Sequence, residues 1–264
     1  MLDTKPVTKI MFLDIETTSM TETFAELDER FQNCFLKKFK KRGTEELIDG
    51  IGPDGKKYTK AKLVELKEKK WSELAPLSAM FGRILCISVG YLVPDPQNGG
   101  FHFRKMSFYN DDEKILLDEF INSKLKRYMD NPMDRDGYFF CAYNGIVFDY
   151  PFIVRRLVIN GFDLPPAFDY SEKKPWEILH LLDPKKTWQL GVFADSESLE
   201  TLCAVFNVPT PKDGIDGSQV KNVYWEEKNL EKIKNYCERD VFALAKIYLK
   251  MKTMKEEIRD PAGE

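Results

Sequence analysis

The sequence predicts an α/β protein, a mixed sheet flanked by helices, built as one domain over residues 1–264 with a helical, lysine-rich insertion at about 20–77. Three observations carry this. Apolar runs of strand length alternate with stretches of helical period. The first three such runs precede any core helix, as in an antiparallel meander. The residues after the first run turn polar and helical instead of adding another strand.

Taken in order, the first strand lies in Thr8–Thr17, a continuous apolar run that breaks into acidic residues. That is the pattern of a strand buried on both faces that surfaces at its carboxyl end. From Ser19 to Leu77 two helical pieces are joined by the turn cluster Gly50–Gly55, an insertion rather than a second core. Arg83–Val93 is the second strand, Pro94–Gly100 a turn, and Phe101–Tyr109 a third strand of alternating apolar and polar residues. Asp111–Met129 follows a helical period with an acidic first turn, and Tyr138–Tyr143 is a fourth strand. The spacing of Phe152, Ile153, Leu157 and Val158 predicts a helix ending near Asn160-Gly161. Ile178–Leu182 reads as a short final strand, Ser198–Phe206 as a helix with a Ser cap, and Leu230–Met254 as a long amphipathic helix.

A hydrophobic fraction of 43% with a formal net charge of −3 over 264 residues supplies a sizeable core and excludes disorder as the dominant state. No apolar run reaches the ~18 residues a bilayer requires, and Met1-Leu2-Asp3-Thr4-Lys5 opens no signal peptide. A cytoplasmic location without a membrane partner is therefore expected. Five scattered cysteines suit reduced, mostly buried thiols. With only His102 and His180 and no Cys-x-x-Cys, a zinc site is not expected, and a catalytic metal would be held by oxygen. The charge is uneven: Phe35–Lys70 holds twelve Lys/Arg against six Asp/Glu. Such a surface either tracks a phosphate backbone by counterion release or is a solvated helical face.

Asp14 and Glu16 stand two apart on the first strand, on one face and about 6 to 7 Å apart along it. They repel each other unless a cation neutralises them or they lie past the sheet edge in water. Asp149, closing Asn144-Gly145-Ile146-Val147-Phe148-Asp149, sits where the fourth strand hands over to a helix, at the sheet end where α/β active sites lie. Followed by Tyr150-Pro151, it would equally serve as a helix cap. Tyr236 and Asp240, at i and i+4, share one face of the C-terminal helix. They either point together at a site or leave a half-buried ring beside a solvated carboxylate. Trp176 and Trp188 read as core or rim residues, and His180 as a hydrogen-bonded buried imidazole.

In this order, Asp-Ile-Glu-Thr, Asn-x-x-x-Phe-Asp and Tyr-x-x-x-Asp resemble the three exonuclease motifs of the DnaQ-like DEDD superfamily. With Gly82-Arg83-Ile84 leading into the second strand, the chain is similar to predicted 3′-5′ exonucleases related to the exonuclease domain of family B DNA polymerases. The resemblance runs from the first strand to the last long helix and implies an RNase H-like fold. It implies that Asp14, Glu16, Asp149 and Asp240 bind two divalent cations, Mg²⁺ or Mn²⁺. With Tyr236 they would hydrolyse phosphodiester bonds from the 3′ end of single-stranded DNA. Asp14, Glu16 and Asp240 would surround the ion that activates water, Asp14 and Asp149 the ion on the leaving-group side, and Tyr236 would orient the water. Thr17, Thr18 and Asn144 would grip the terminal nucleotide, the threonines through backbone N–H groups or hydroxyls near its 3′ end, and Phe148 would stack on a base. Ser19 departs from the glycine that often follows the first motif, and the insertion lengthens the gap to the second strand. RNA as substrate, or a nucleic-acid binding module without catalysis, are the alternatives; DNA repair is an expected setting.

Overall fold

The computed structural model describes residues 5–132, 137–192, 197–209, 215–252 and 258–260. Its strands are β1 (Ile10–Ser19), β2 (Gly82–Pro94), β3 (Phe101–Tyr109), β4 (Phe139–Cys141), β5 (Leu181–Leu182) and β6 (Ile258–Arg259). They form one mixed sheet in the order β5-β4-β1-β2-β3-β6. The meander is present, β1 with β2 and β2 with β3 pairing antiparallel. β4 joins the other edge of β1 in parallel, β5 joins β4, and β6 joins β3.

The strand period of two divides β1 between two layers. Met11, Leu13 and Ile15 pack with Leu116, Leu117 and Phe120 of α4 (Glu113–Asn122) and with Phe152, Ile153 and Leu157 of α6 (Asp149–Ile159). Between these helices lies the short α5 (Lys126–Asp130). Ile10 and Phe12 face the opposite way, against Val241, Leu244 and Tyr248 of α10 (Leu230–Met251). Each such side chain contributes roughly 1.5–3 kcal/mol by leaving water. A buried ion pair clamps the first layer: Arg156 Nε donates to Glu113 Oε1 at 2.9 Å, and Ile84 N donates to the same oxygen at 2.6 Å. Of the remaining helices, α8 (Leu199–Val205) and α9 (Val220–Trp225) pack against α10, while α7 (Pro184–Gln189) follows β5.

Several expectations are corrected. The insertion holds three helices, α1 (Glu29–Lys38), α2 (Glu45–Asp49) and α3 (Lys60–Leu74). It does have a core of its own, formed by Phe24, Phe35, Phe39, Leu47, Trp71 and Phe81, because one face of each helix carries aromatic or aliphatic residues toward the others. The stretch expected as one helix to Met129 breaks at Ser123, whose hydroxyl donates to Phe120 O at 2.8 Å and accepts from Leu125 N, an alternative to the helical ladder. β5 is not the last strand; β6 follows α10 and is too short for a period to register. Cys34 is exposed, while the other four cysteines are buried, all of them reduced. Trp176 is 65% exposed, outside core and rim alike, with Lys174 Nζ 5.2 Å above its ring. His180 is fully buried as expected, its Nε2 paired with Ala167 O at 2.8 Å. Among the described residues no helix is long and apolar enough to cross a membrane.

Candidate active site

The site begins where the sheet becomes incomplete. β4 ends at Cys141, opposite Phe12, while β2 accompanies β1 as far as Ser19. From Leu13 onward one edge of β1 is therefore free of a described strand. Asp14 and Glu16 continue the row of Ile10 and Phe12, so they face α10 and not water beyond the sheet. The α10 stripe of Ile233, Tyr236, Cys237, Asp240, Val241 and Leu244 faces this row; all but Asp240 are buried.

Asp14 is half-buried, and the Cys237 thiol donates to its main-chain oxygen at 3.4 Å and to its Oδ2 at 3.5 Å. One ligand atom each from Asp14, Glu16 and Cys237 lies within 4.8 Å of the others. Glu16 is only 7% exposed, and among the described residues nothing donates to its carboxylate. Burial raises both carboxyls well above their ordinary range; for Asp14 the charges of Asp240 and Asp149 raise it further, and for Glu16 those of Asp14 and Asp240.

Asp149 is the first residue of α6 and is 3% exposed. Its carboxylate accepts from its own N–H and from Ile15 N, so it reaches across to β1 and is more than a helix cap. Burial is the main cause that lifts its pKa to about 7, with the charge of Asp183 adding to it. The Tyr236 ring lies in a buried cluster with Cys86, Ile233 and Cys237. Its hydroxyl is hydrogen-bonded to Asp240; burial first, then the charges of Asp240, Glu16 and Asp14, holds the phenol firmly protonated.

The turn between β4 and α6 needs one residue that sequence reading missed. Asp183, 7% exposed, accepts from Asn144 N at 2.9 Å, Ile146 N at 3.3 Å and Lys185 N at 3.1 Å. It thereby secures Asn144, whose φ is 63°, and caps α7. A Cβ on Gly145 would come within 2.4 Å of the Ala142 Cβ, so only glycine fits between them. The Asp183-Pro184 dipeptide signals a helix start, but the contact to Asn144, 39 positions away, has no local signal.

The expected nucleotide contacts separate. Thr18 is fully buried with its hydroxyl unpartnered, and the Thr17 hydroxyl donates to Pro76 O at 2.8 Å, so neither hydroxyl is free to grip substrate. The backbone N–H groups, the other route the sequence offers these threonines, are untouched by these contacts, and the insertion returns to β1 at Thr17. Asn144 is half-buried with its side-chain amide unbonded among the described residues. Phe148 is half-buried, its ring 5.4 Å from that of Phe152.

These residues fit a divalent metal. Mutually repelling carboxylates and a buried glutamate without a donor are the arrangement that an oxygen-bound cation neutralises.

Residues 76–262 match the family described as "Predicted 3'-5' exonuclease related to the exonuclease domain of PolB". The chain belongs to this exonuclease family. Among solved structures, the family B DNA polymerase from the hyperthermophilic archaeon Pyrobaculum calidifontis is similar in fold, with a TM-score of 0.52 at 13% identity over 92% of this chain. The match takes in 25% of the polymerase, so this chain spans about a quarter of that protein's length. Comparison with curated proteins finds no match. As a member of this family the chain has the α/β, RNase H-like sheet expected of it.

Proposed function

We propose that this exonuclease removes nucleotides from the 3′ end of single-stranded DNA, using two Mg²⁺ or Mn²⁺ ions held by Asp14, Glu16, Asp149 and Asp240. The observation that carries the reading is Glu16, a buried carboxylate with no donor among the described residues, on which the charges of Asp14 and Asp240 act most strongly. Bound divalent ions supply a hydroxide nucleophile at neutral pH and neutralise the leaving 3′ oxygen. Hard carboxylate oxygens select Mg²⁺ or Mn²⁺ for that task.

The protein's part is positioning. Asp14 and Glu16 are fixed by the sheet, Asp149 by its bond to Ile15 N and Asp240 by α10. Tyr236 keeps its proton, which excludes it as a base; its hydroxyl, fixed by Asp240, orients the attacking water. The Asn144 amide is available to the terminal nucleotide and the Phe148 edge to its base, while Thr17 and Thr18 contribute only backbone. The likeness to a DNA polymerase supports DNA over RNA.

The test is incubation of 5′-labelled single-stranded DNA and RNA of equal sequence with the protein in Mn²⁺ and in chelator. Mononucleotides should leave the DNA from its free 3′ end, in Mn²⁺ alone. Full activity in excess chelator, or cleavage of a covalently closed circle, would overturn the reading.

A further inference from the structure

The acid cluster contains a sulfur. Cys237 follows Tyr236 on α10, and its Sγ reaches Oδ2 of Asp14 at 3.5 Å. Its atom and those of Asp14 and Glu16 lie within 4.8 Å of one another. Ligand atoms sharing one tetrahedral ion stand about 3.5 Å apart, given metal–oxygen and metal–sulfur distances of about 2.0 to 2.3 Å, so only a small closure separates this trio from coordination. The buried, donor-free Glu16 carboxylate independently marks the position as one awaiting a cation.

We propose that Asp14, Glu16 and Cys237 form a site for a thiophilic divalent ion, of the class of Zn²⁺ and Cd²⁺, which competes with Mg²⁺ or Mn²⁺ for the same carboxylates. This rests on the metal-dependent reading given above and adds a selectivity that oxygen ligands alone do not confer. Mg²⁺ gains nothing from sulfur, whereas thiolate selects softer ions. On binding, the S–H bond breaks, a metal–sulfur bond forms and the proton leaves to solvent; no oxidation state changes. The result is an inhibited form, because Asp14 and Glu16 are then occupied by the thiophilic ion and no longer hold Mg²⁺ or Mn²⁺. The absence of a histidine cluster or Cys-x-x-Cys hid this site, since its three ligands come from a strand and a helix 223 positions apart.

The experiment is a Cd²⁺ titration of the full chain carrying Cys34→Ser, which removes the exposed thiol, with the protein first freed of metal and then loaded with Mn²⁺. It follows the ultraviolet sulfur-to-cadmium charge-transfer band and, by electron paramagnetic resonance, displacement of Mn²⁺. The band should rise as Mn²⁺ is released. In Cys237→Ser, shown to be folded by its circular dichroism, the band should vanish and Cd²⁺ affinity fall by at least about tenfold. Mn²⁺ affinity in the same variant should stay within about threefold of the parent. A Cys237→Ala variant should behave alike. A band that survives both substitutions, or Cd²⁺ that binds without releasing Mn²⁺, overturns the inference. If Mn²⁺ binds and supports hydrolysis but Cd²⁺ takes no sulfur, only this inference falls; if Mn²⁺ does not bind at all, the metal-dependent reading falls with it.

Discussion

The Asp149 carboxylate accepts a hydrogen bond from the backbone N–H of Ile15, the residue between Asp14 and Glu16. A carboxylate at the start of α6 thus completes the edge that β4 leaves open, and ties α6 to the strand that carries the other two acids. The same contact brings Asp149 into a buried group of like charges, which costs stability whenever all are ionised without a cation.

That cost gives the metal-free protein a pH dependence. The Asp149 pKa is about 7 in the fold against 3.8 as the ordinary value. The folded state therefore binds more protons between these values, and stability falls as pH rises from about 4 to about 7 and levels off above it. At about 1.4 kcal/mol per pKa unit, Asp149 alone accounts for on the order of 4 kcal/mol. In chelator, Tm should drop between about pH 4 and pH 7, and Mn²⁺ should raise Tm more at about pH 7 than at about pH 5. A metal-free Tm that is flat or rising across this window would contradict the clustering of the acids.

Tyr236 and Asp240 should fail in different ways. Asp240→Asn removes a negative charge from the cluster, so Mn²⁺ affinity and turnover both fall, with kcat lower by about 10³ or more. Tyr236→Phe keeps the buried ring and every carboxylate, removing only the hydroxyl hydrogen-bonded to Asp240. Its kcat should fall by roughly 10 to 10³-fold with metal affinity near that of the parent. Undiminished kcat in a folded Tyr236→Phe enzyme would leave the tyrosine as packing.

What was legible in the sequence was whatever depends on short range. The strand period of β1 and the helical period of α10 both register locally, and with them the placement of Asp14, Glu16, Tyr236 and Asp240. Asp149 registered as a strand-to-helix junction, yet its bond to Ile15 did not, because it closes over 134 positions. The engagement of the Thr17 hydroxyl follows from Pro76 turning back onto β1, a long-range contact that no periodicity records. Two-residue strands such as β6 lie below any period.

Asp183 should prove a positioning residue. Asp183→Ala strips the acceptor from Asn144 N and Ile146 N, each a turn amide whose loss of a partner costs about 1–3 kcal/mol where it stays unsolvated. The turn carrying Asn144 and leading to Asp149 then relaxes. Activity should fall by about 10 to 100-fold along with Tm, and Asp183→Asn, which retains one acceptor oxygen, should recover part of each. An Asp183→Ala enzyme with parental kcat and Tm would show that Gly145 and α7 hold the turn without it.

The insertion offers the last test. It leaves β1 directly after the acids and returns at Pro76 and Phe81, where Thr17 Oγ1 donates to Pro76 O at 2.8 Å and Met20 N to Phe81 O at 2.9 Å. It is therefore anchored at the end of the sheet where the carboxylates gather. Its fold depends on Phe24, Phe35, Phe39, Trp71 and Phe81, none of them charged. Lys37, Lys40, Lys41 and Arg42 are exposed at the end of α1 and just after it, and make no ion pair with described residues, unlike Lys62 with Glu65 or Lys70 with Glu73. Replacing these four by Gln should leave Tm nearly unchanged. If they follow the phosphate backbone, each lost contact reduces the salt slope for a single strand by about 0.7, and KM for long strands rises. Hydrolysis of a dinucleotide, too short to reach them, should hardly change. Equal losses on long and short substrates, or none on either, would assign the lysines to solubility.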